Sequence, residues 1–385
     1  MSEICEFRNG LWTGKKEPFI ECNVIRNANF SKDFKLNYDN VVRISVEEKQ
    51  FQPRELKYGD LILEKSGGGP NQPVGRVVIF DKHENGYSFS NFTSLIRIKN
   101  KELINFRFLY LYLCYCYLSG MTIKMQKNST GIRNLIFDEY KNIRAPIPNI
   151  KEQERIVAKL DKAFEAIDKV KANAEQNLNN AKELFNDAQT TIFNEPFEEK
   201  KLGDICTLYQ GLAINMKTKH LLCDKSTLPL LRIKDLKENC ETQYVVEEGF
   251  PKNALVNESD IIYTRTGSLG LVFRGRKGVL HNNSFKVVPQ KNISNDYLFE
   301  WLQNPIFNKK IVSLAQRAAQ PDITHTLFKQ QIINVPPFEI QLKKVKQINV
   351  IREYINTLNQ IYTQKIKECD ELKQSILQKA FRGEL

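Results

Sequence analysis

The chain repeats itself. The segment ICEFRNGL at 4–11 aligns with ICTLYQGL at 205–212 at an offset of 201 residues, and GDLILEKSG at 59–67 aligns with SDIIYTRTG at 259–267 at an offset of 200. A third pair, IPNIKEQ at 147–153 and VPPFEIQ at 335–341, is offset by 188. The order of the anchors is kept, and the first copy is 12 residues longer between the second and third of them. Such a repeat constrains the fold before any local propensity does, because each copy must build the same unit. Two globular regions, each followed by a helix and differing inside a shared frame, predict a ruler carrying two recognition regions rather than an enzyme with its own active site.

Each copy ends in a helix signal. The first helix is predicted from about 151 to 193, with Asn149 as its cap and Glu152 three residues on completing a capping box. Pro148 closes the preceding segment and Pro196 stops the helix. Phe164, Lys171, Leu178, Phe185 and Ile192 form one heptad row, and Leu160, Ile167, Ala174, Ala181 and Ala188 form the other. Only Lys171 breaks the apolar pattern. In the second helix, from about 339 to 381, the rows are Ile348, Ile355, Tyr362, Cys369 and Ile376, and Ile351, Leu358, Lys365 and Leu372. Gly383 stands where a C-terminal stop is expected. Two sustained 3,4 patterns predict a coiled coil. Its partner is either the other helix or another chain. Packing of each helix on its own domain alone is the competing reading, but helices used that way average about 11–12 residues. At 1.5 Å per residue each helix would reach roughly 60 Å. The expected domains are 1–148 and 195–337 for the globular regions, and 149–194 and 338–385 for the helices.

Charge sharpens the expectation. The 385 residues carry a formal net charge of +12 and 41% hydrophobic residues, enough for real cores. Residues 151–193 hold seven Lys/Arg and eight Asp/Glu, and residues 339–385 hold nine and six. Those nets of −1 and +3 leave +10 for the rest, so the basic excess sits in the globular regions. It favours a polyanion such as nucleic acid, or an anionic membrane surface. No spanning segment is expected: the most apolar run, INFRFLYLYLCYCYL at 104–118, is short, carries Arg107, and reads as a buried helix. No signal peptide is recognisable at MSEICEFRNG. The eight cysteines contain no CxxC pair and the four histidines match no metal-site spacing, so Cys114 and Cys116 read as small buried hydrophobes and no metal site is expected. Free thiols without targeting suggest a reducing cytoplasm.

Both globular regions read as mixed α/β. Strand-like runs fall at 41–46, 60–63, 74–80, 260–263 and 270–273, and helix-like runs at 106–118 and 297–302. The loop after each aligned strand is the foremost DNA-binding candidate. The first runs from Lys65 and Ser66 through Gly67, Gly68, Gly69, Pro70 and Asn71 to Arg76. The second has Arg265, Thr266 and Gly267, followed by Arg274 and Arg276. Glycine admits a phosphate close to the backbone, hydroxyls and cations hold it, and Asn, Gln or Arg can read base edges. A hairpin turn with solvated charges is the competing explanation. A second pair of candidates is Lys127–Asn128–Ser129–Thr130–Gly131–Ile132–Arg133–Asn134 and the stretch from Arg317 to Ile323; a structural junction would account for them almost as well. Catalytic searches fail. GxGxxG and GxxxxGK[ST] are absent. The segment NVPPF at 334–338 has the wrong spacing for an amino-methyltransferase motif, and Asp60 with Glu64 loses its second carboxylate at Thr264 in the other copy.

These segments resemble one family, the specificity subunits of Type I restriction–modification enzymes. IPNIKEQERIVAKLDKAFEAIDKVKANAEQNLNNAKELFNDAQTTIF resembles its central conserved region, LKQSILQKAFRGEL its C-terminal signature, and GDLILEKSG and SDIIYTRTG its strand-and-loop element. The resemblance covers the whole chain, strongly in the helices and weakly within the domains. It implies an α+β fold with two mixed α/β target-recognition domains separated by two long antiparallel helices in a coiled coil, related by a pseudo-twofold repeat. It implies that each domain reads one half of a split double-stranded DNA site, with the helices setting the spacer. It further implies two methyltransferase subunits for adenine N6, which bind S-adenosylmethionine, and ATP-dependent translocating restriction subunits. On this reading the chain itself is non-catalytic and holds no cofactor. The alternative is a coiled-coil tether whose basic domains bind nucleic acid without sequence choice. Two departures stand out: the first copy lacks a counterpart of Lys201-Leu202-Gly203-Asp204, and Lys171 interrupts its row.

Overall fold

The structure, a computed structural model, describes residues 1–69, 72–129 and 131–385, with only the backbone described at Asn128 and Ser129. It divides into two compact units. One comprises Met1–Ala174 and Gln364–Leu385, the other Glu175–Thr363. Each unit therefore holds one globular head together with part of both long helices.

The first head is built on an antiparallel sheet of β1 (Cys5–Asn9), β2 (Leu61–Glu64), β3 (Val77–Ile79) and β4 (Thr93–Ile98), in the order β1-β4-β2-β3. All four residues of β2 are buried. Side chains alternate across a strand, so this means that both faces of the sheet are covered. Leu61 and Leu63 face a cluster containing Leu109, Tyr112, Leu113 and Cys116, while Ile62 faces Ile25, Phe80, Phe89 and Leu95. Helix α1 (Phe106–Leu118) is capped by Asn105, whose side chain accepts from Arg107 N and Phe108 N at 2.9 and 3.3 Å. One face of α1 packs on the sheet, and the other (Phe108, Leu111, Cys114) packs on Ile156, Val157, Leu160, Leu377 and Ala380 of the long helices. A helix covered on both sides must be apolar all round. This is why the 104–118 run is so hydrophobic without crossing a membrane. Among the described residues no helix is long and apolar enough to do that. Two three-stranded sheets complete the head. In one, Phe19–Ile25 lies between Val42–Glu47 and Tyr87–Phe89. In the other, β5 (Ile132–Leu135) lies between Ser66–Gly68 and Gln126–Ser129.

The second head repeats the plan. Its main sheet runs β6-β9-β7-β8, from β6 (Cys206–Gln210), β7 (Ile261–Thr264), β8 (Val272–Phe273) and β9 (Ser284–Pro289), the same strand order as in the first head. β7 is again buried throughout, with Ile261 and Tyr263 facing one cluster and Ile262 the other. Helix α3 (Asn295–Leu302), capped by Ser294, buries Tyr297, Leu298, Trp301 and Leu302 on the sheet side.

The long helices α2 (Ile150–Phe193) and α4 (Phe338–Phe381) have 44 residues each. Asn149 caps α2, its Oδ1 accepting from Glu152 N at 3.0 Å, but the Glu152 carboxylate turns to Arg155 instead of closing a reciprocal box. A buried glutamine in the first turn of each helix fastens it to its head. Gln153 accepts from Asn105 N at 2.9 Å and donates to the carbonyls of Leu103 and Pro148 at 2.9 and 2.8 Å. Gln341 accepts from Ser294 N at 2.7 Å and donates to those of Asn292 and Pro336 at 3.2 and 2.9 Å. The two clamps are copies of each other, three bonds apiece.

Within each unit α2 and α4 run antiparallel. In the first, Lys171 pairs with Asp370 at 2.6 Å, Lys373 pairs with Asp168, and Arg155 donates to the Leu385 carbonyl at 3.0 Å. In the second, Lys344 pairs with Glu195 at 2.8 Å, and Arg352 lies over the Phe185 ring and pairs with Glu300 of α3. Lys171 thus sits in the pattern as half of an ion pair. Leu160, Ile167, Ala174 and Ala181 are buried, as are Ile348, Ile355 and Cys369, and Phe164, Leu178, Phe185, Leu358, Tyr362 and Ile376 are half-buried. Leu372 departs from expectation: it is 49% exposed, and Leu377, Ala380 and Lys373 take the inward positions. A straight helix drifts by about 20° per heptad against a 3.5-residue repeat. Three heptads after Ile351, the row has swung off the seam.

Candidate nucleic-acid interface

In the first head, the C-terminal ends of β1 and β2 and the start of β4 meet at one end of the main sheet, because β1 and β2 both run antiparallel to β4 between them. The loop leaving β2 is pinned there by backbone bonds. Lys65 N and Ser66 N both donate to the Phe92 carbonyl, at 3.1 and 3.2 Å, and Leu135 N donates to the Lys65 carbonyl at 2.8 Å. The last bond brings β5 alongside, so the two loops singled out in the sequence become one surface. On it Lys65 Nζ donates to Asn9 Oδ1 at 2.7 Å, the Ser66 hydroxyl donates to Asn134 Oδ1, and Asn27 Nδ2 donates to the Ser66 carbonyl at 2.6 Å. Partial burial pulls the Lys65 ammonium below the usual lysine range. Arg133 stands opposite Gly68 in register on β5, and Lys127 is exposed on the neighbouring strand. Pro70, Asn71 and Thr130 of these loops lie outside the described residues.

The second head repeats the shelf with different side chains. Arg265 N and Thr266 N donate to the Asn283 carbonyl at 2.8 and 3.3 Å, and Ile323 N donates to the Arg265 carbonyl at 2.9 Å. The Arg265 guanidinium donates to Gln210 Oε1 at 3.3 Å and through Nε to Asp322 Oδ1 at 2.9 Å. Gln210 Nε2 donates to the Asn282 carbonyl at 2.9 Å. Beside it Asn283 N donates to His281 Nδ1 at 3.3 Å, and burial with Arg232 nearby pulls the His281 imidazole below its ordinary 6.5. In both copies, then, a cation at the end of the second main-sheet strand holds a carboxamide at the end of the first: Lys65 with Asn9, Arg265 with Gln210. Gly67 and Gly267, each at positive φ (96° and 75°), turn the chain immediately after the hydroxyl residue.

The remaining candidates lie elsewhere. Arg76 is a correction: its guanidinium is buried, donating to Glu64 Oε2 at 2.7 Å and Oε1 at 2.9 Å, with a third bond to the Phe30 carbonyl at 3.2 Å. Glu64 points into the head, and a buried carboxylate draws the nearest arginine inward. Arg274 lies past the far end of β8, over the Phe299 ring and paired with Asp296. Arg276 holds a loop, donating to the Asp235 and Cys240 carbonyls and to Asn239 Oδ1 at 3.3, 3.1 and 2.8 Å. Arg317 is exposed, a few residues before Asp322. The residues that sequence reasoning passed over are Asn9 and Gln210; Asn134 and Asp322 lie within the second pair of candidate stretches. Asn9 and Gln210 sit inside the first aligned pair, at the same offset of 201.

Asp60 is bound to Arg97 at 2.8 and 2.5 Å and accepts from Lys57 N at 2.6 Å, so neither it nor Glu64 is a free carboxylate. Among the described residues no group of three His, Cys, Asp or Glu side chains could hold a metal ion.

A family model described as the Type I restriction modification DNA specificity domain matches residues 1–180 and 194–368. The chain is 23% identical over 304 residues to the Type I restriction enzyme EcoBI specificity subunit of Escherichia coli, covering 68% of this chain and 63% of that protein. It is 23% identical over 398 residues to the EcoKI specificity subunit of Escherichia coli strain K12, covering 96% and 82%. Two solved structures share the fold at 18% identity. One comes from work on complex assembly and conformational transition of the type I R-M system (TM-score 0.76, 99% of this chain and 98% of that one). The other is the HsdS subunit of Thermoanaerobacter tengcongensis (TM-score 0.57, 100% and 96%).

Proposed function

Because the chain belongs to the family of Type I restriction modification DNA specificity domains, we propose that it is the DNA-recognition subunit that reads a bipartite duplex target, one half with each strand-end shelf. The observation that carries this reading is the duplicated pair of cation and carboxamide, Lys65 with Asn9 and Arg265 with Gln210, at the same corner of both heads. Carboxamides, hydroxyls and guanidinium groups are the side chains that read base edges in a major groove, and lysines neutralise phosphates. Different residues on one frame suit two different half-sites. The charge of the globular regions agrees with a polyanionic partner.

The same reading extends to the assembly. The chain is non-catalytic and holds no cofactor. It positions two adenine-N6 methyltransferase subunits, which bind S-adenosylmethionine and take the base out of the stack, together with ATP-driven restriction subunits. The long helices set the unspecified spacer between the half-sites. Mapping methylated adenines in cells that express the assembly tests this. Asn9→Ala is expected to relax or abolish recognition of one half-site, Gln210→Ala that of the other, and Lys65→Ala to weaken methylation at all sites alike. Methylation with no dependence on a bipartite sequence would overturn the reading and favour a tether that binds nucleic acid without sequence choice.

A further inference from the structure

Among the described residues, the most exposed large apolar side chain of each unit lies in the loop that leaves the shelf, although not at the aligned residue: at the offset of 201, Ala213 matches Trp12 and Met216 comes three residues later. Trp12 is 65% exposed and Met216 is 93% exposed. Both loops begin at a glycine–leucine step that leaves the shelf, Gly10-Leu11 after Asn9 and Gly211-Leu212 after Gln210; Trp12 follows its step directly and Met216 comes four residues after Leu212. Leu11 bridges to Ser90 and Leu212 to His281, both in parallel sense. A single exposed apolar residue on a protein surface is ordinary. Recurrence in the corresponding loop of two heads whose sequences otherwise diverge is not explained that way.

Nor are these slack loops. In the first head Glu47 N donates to the Thr13 carbonyl at 2.9 Å and Lys15 N to Glu47 Oε2 at 3.3 Å. In the second, the Thr218 hydroxyl donates to the Ala213 carbonyl at 2.6 Å, and Lys217 N donates to Asn215 Oδ1 at 2.9 Å. The tips are held from below and present an apolar side chain outward, flanked by exposed lysines: Lys15 and Lys16 beside Trp12, Lys217 and Lys219 beside Met216. Glu17 offsets one charge in the first tip. An apolar side chain among cations suits a surface that is anionic but has apolar faces between its charges, which describes the sugars and base steps of duplex DNA.

We propose that Trp12 and Met216 are apolar contacts to duplex DNA, one from each head, with the flanking lysines on phosphates. The proposal rests on the reading that the heads bind duplex DNA. Such side chains pack on sugars or wedge against a base step. They carry no hydrogen-bond code, so they add affinity and sensitivity to DNA deformability rather than base identity.

Tryptophan emission reads the contact directly, because the chain has two tryptophans and the second, Trp301, is buried. The full-length chain is titrated with sheared mixed-sequence duplex DNA and, separately, with heparin. DNA is expected to quench the wild-type emission and heparin to leave it unchanged, while Trp12→Phe loses the response. Trp12→Ala should weaken duplex binding by roughly five- to tenfold, the low end of the range for a stacked aromatic contact, and Met216→Ala should weaken it in the same direction. Trp12→Lys should weaken it too, although it adds a positive charge. Duplex binding with Trp12 emission unchanged, equal quenching by heparin, or tighter binding by Trp12→Lys would each overturn the contact while leaving DNA recognition standing. No duplex binding by the wild-type chain would overturn both.

Discussion

Arg76 and Arg265 come from loops that look alike in the sequence, yet they end in opposite environments. The difference lies one strand position away, where the first copy has Glu64 and the second has Thr264. Glu64 is buried and needs a cation, so Arg76 turns inward; Thr264 satisfies itself locally, accepting from Leu271 N at 2.8 Å, and draws no arginine inward. Removing one partner of a buried pair strands the other charge. Arg76→Ala should therefore destabilise the first head by about 3–5 kcal/mol, read as a lowered urea midpoint, whereas an effect below about 1 kcal/mol would mean that the pair is solvated. His281 supplies a pH dependence confined to the second head. Its pKa in the fold lies below 6.5, so the unfolded chain binds more protons as pH falls through that value. Its stabilising contribution is present above about 6.5 and is lost on acidification. His281→Ser, the residue at the matching bridge of the first head, should flatten the fall in thermal midpoint between about pH 6.5 and 5, and an unchanged slope would assign it to other groups. Asn9 and Gln210 were hard to single out in the sequence for a plain reason. Their partners lie 56 and 55 residues away, and no local pattern announces a contact closed by tertiary structure.

The long helices were the most legible elements. Periodicity, the Asn149 cap and the Pro196 stop are local signals, and the helices span Ile150–Phe193 and Phe338–Phe381 as their patterns require. The failure at Leu372 is equally physical, since a heptad ruler overestimates how long one face of a 3.6-residue helix stays on the seam. The two situations separate by experiment. Leu160→Ala removes a fully buried side chain and should cost about 2–5 kcal/mol, while Leu372→Ala should stay within about 0.5 kcal/mol. Chemical denaturation of both variants decides it, and comparable losses would restore Leu372 to the interface. The sheets were less legible. Strands at Leu61–Glu64 and Ile261–Thr264 stood out as apolar runs, but the order β1-β4-β2-β3 depends on pairings between distant segments that composition does not encode.

At the scale of the whole chain, the repeat carried most of what could be read in advance, because three aligned anchors survive where the intervening sequence does not. Basic charge concentrated in the heads leads to a further expectation. If about six phosphates are contacted, duplex affinity should fall about 10³-fold between 50 and 200 mM salt, measured as the slope of log affinity against log salt. A flat slope would leave the charge without a role in binding. The backbone bonds that pin the strand-end loops bear on how such a protein changes over generations. Lys65 N, Ser66 N, Arg265 N and Thr266 N are fixed by main-chain carbonyls, and Gly10 and Gly211 pass so close to Ser90 and His281 that an added methyl would collide with them. Those two glycines are closed to drift, while the side chains around them are free to be exchanged. On the proposed function, lineages can therefore acquire new target sequences by point substitution on an unaltered frame, and each head can do so without waiting for the other.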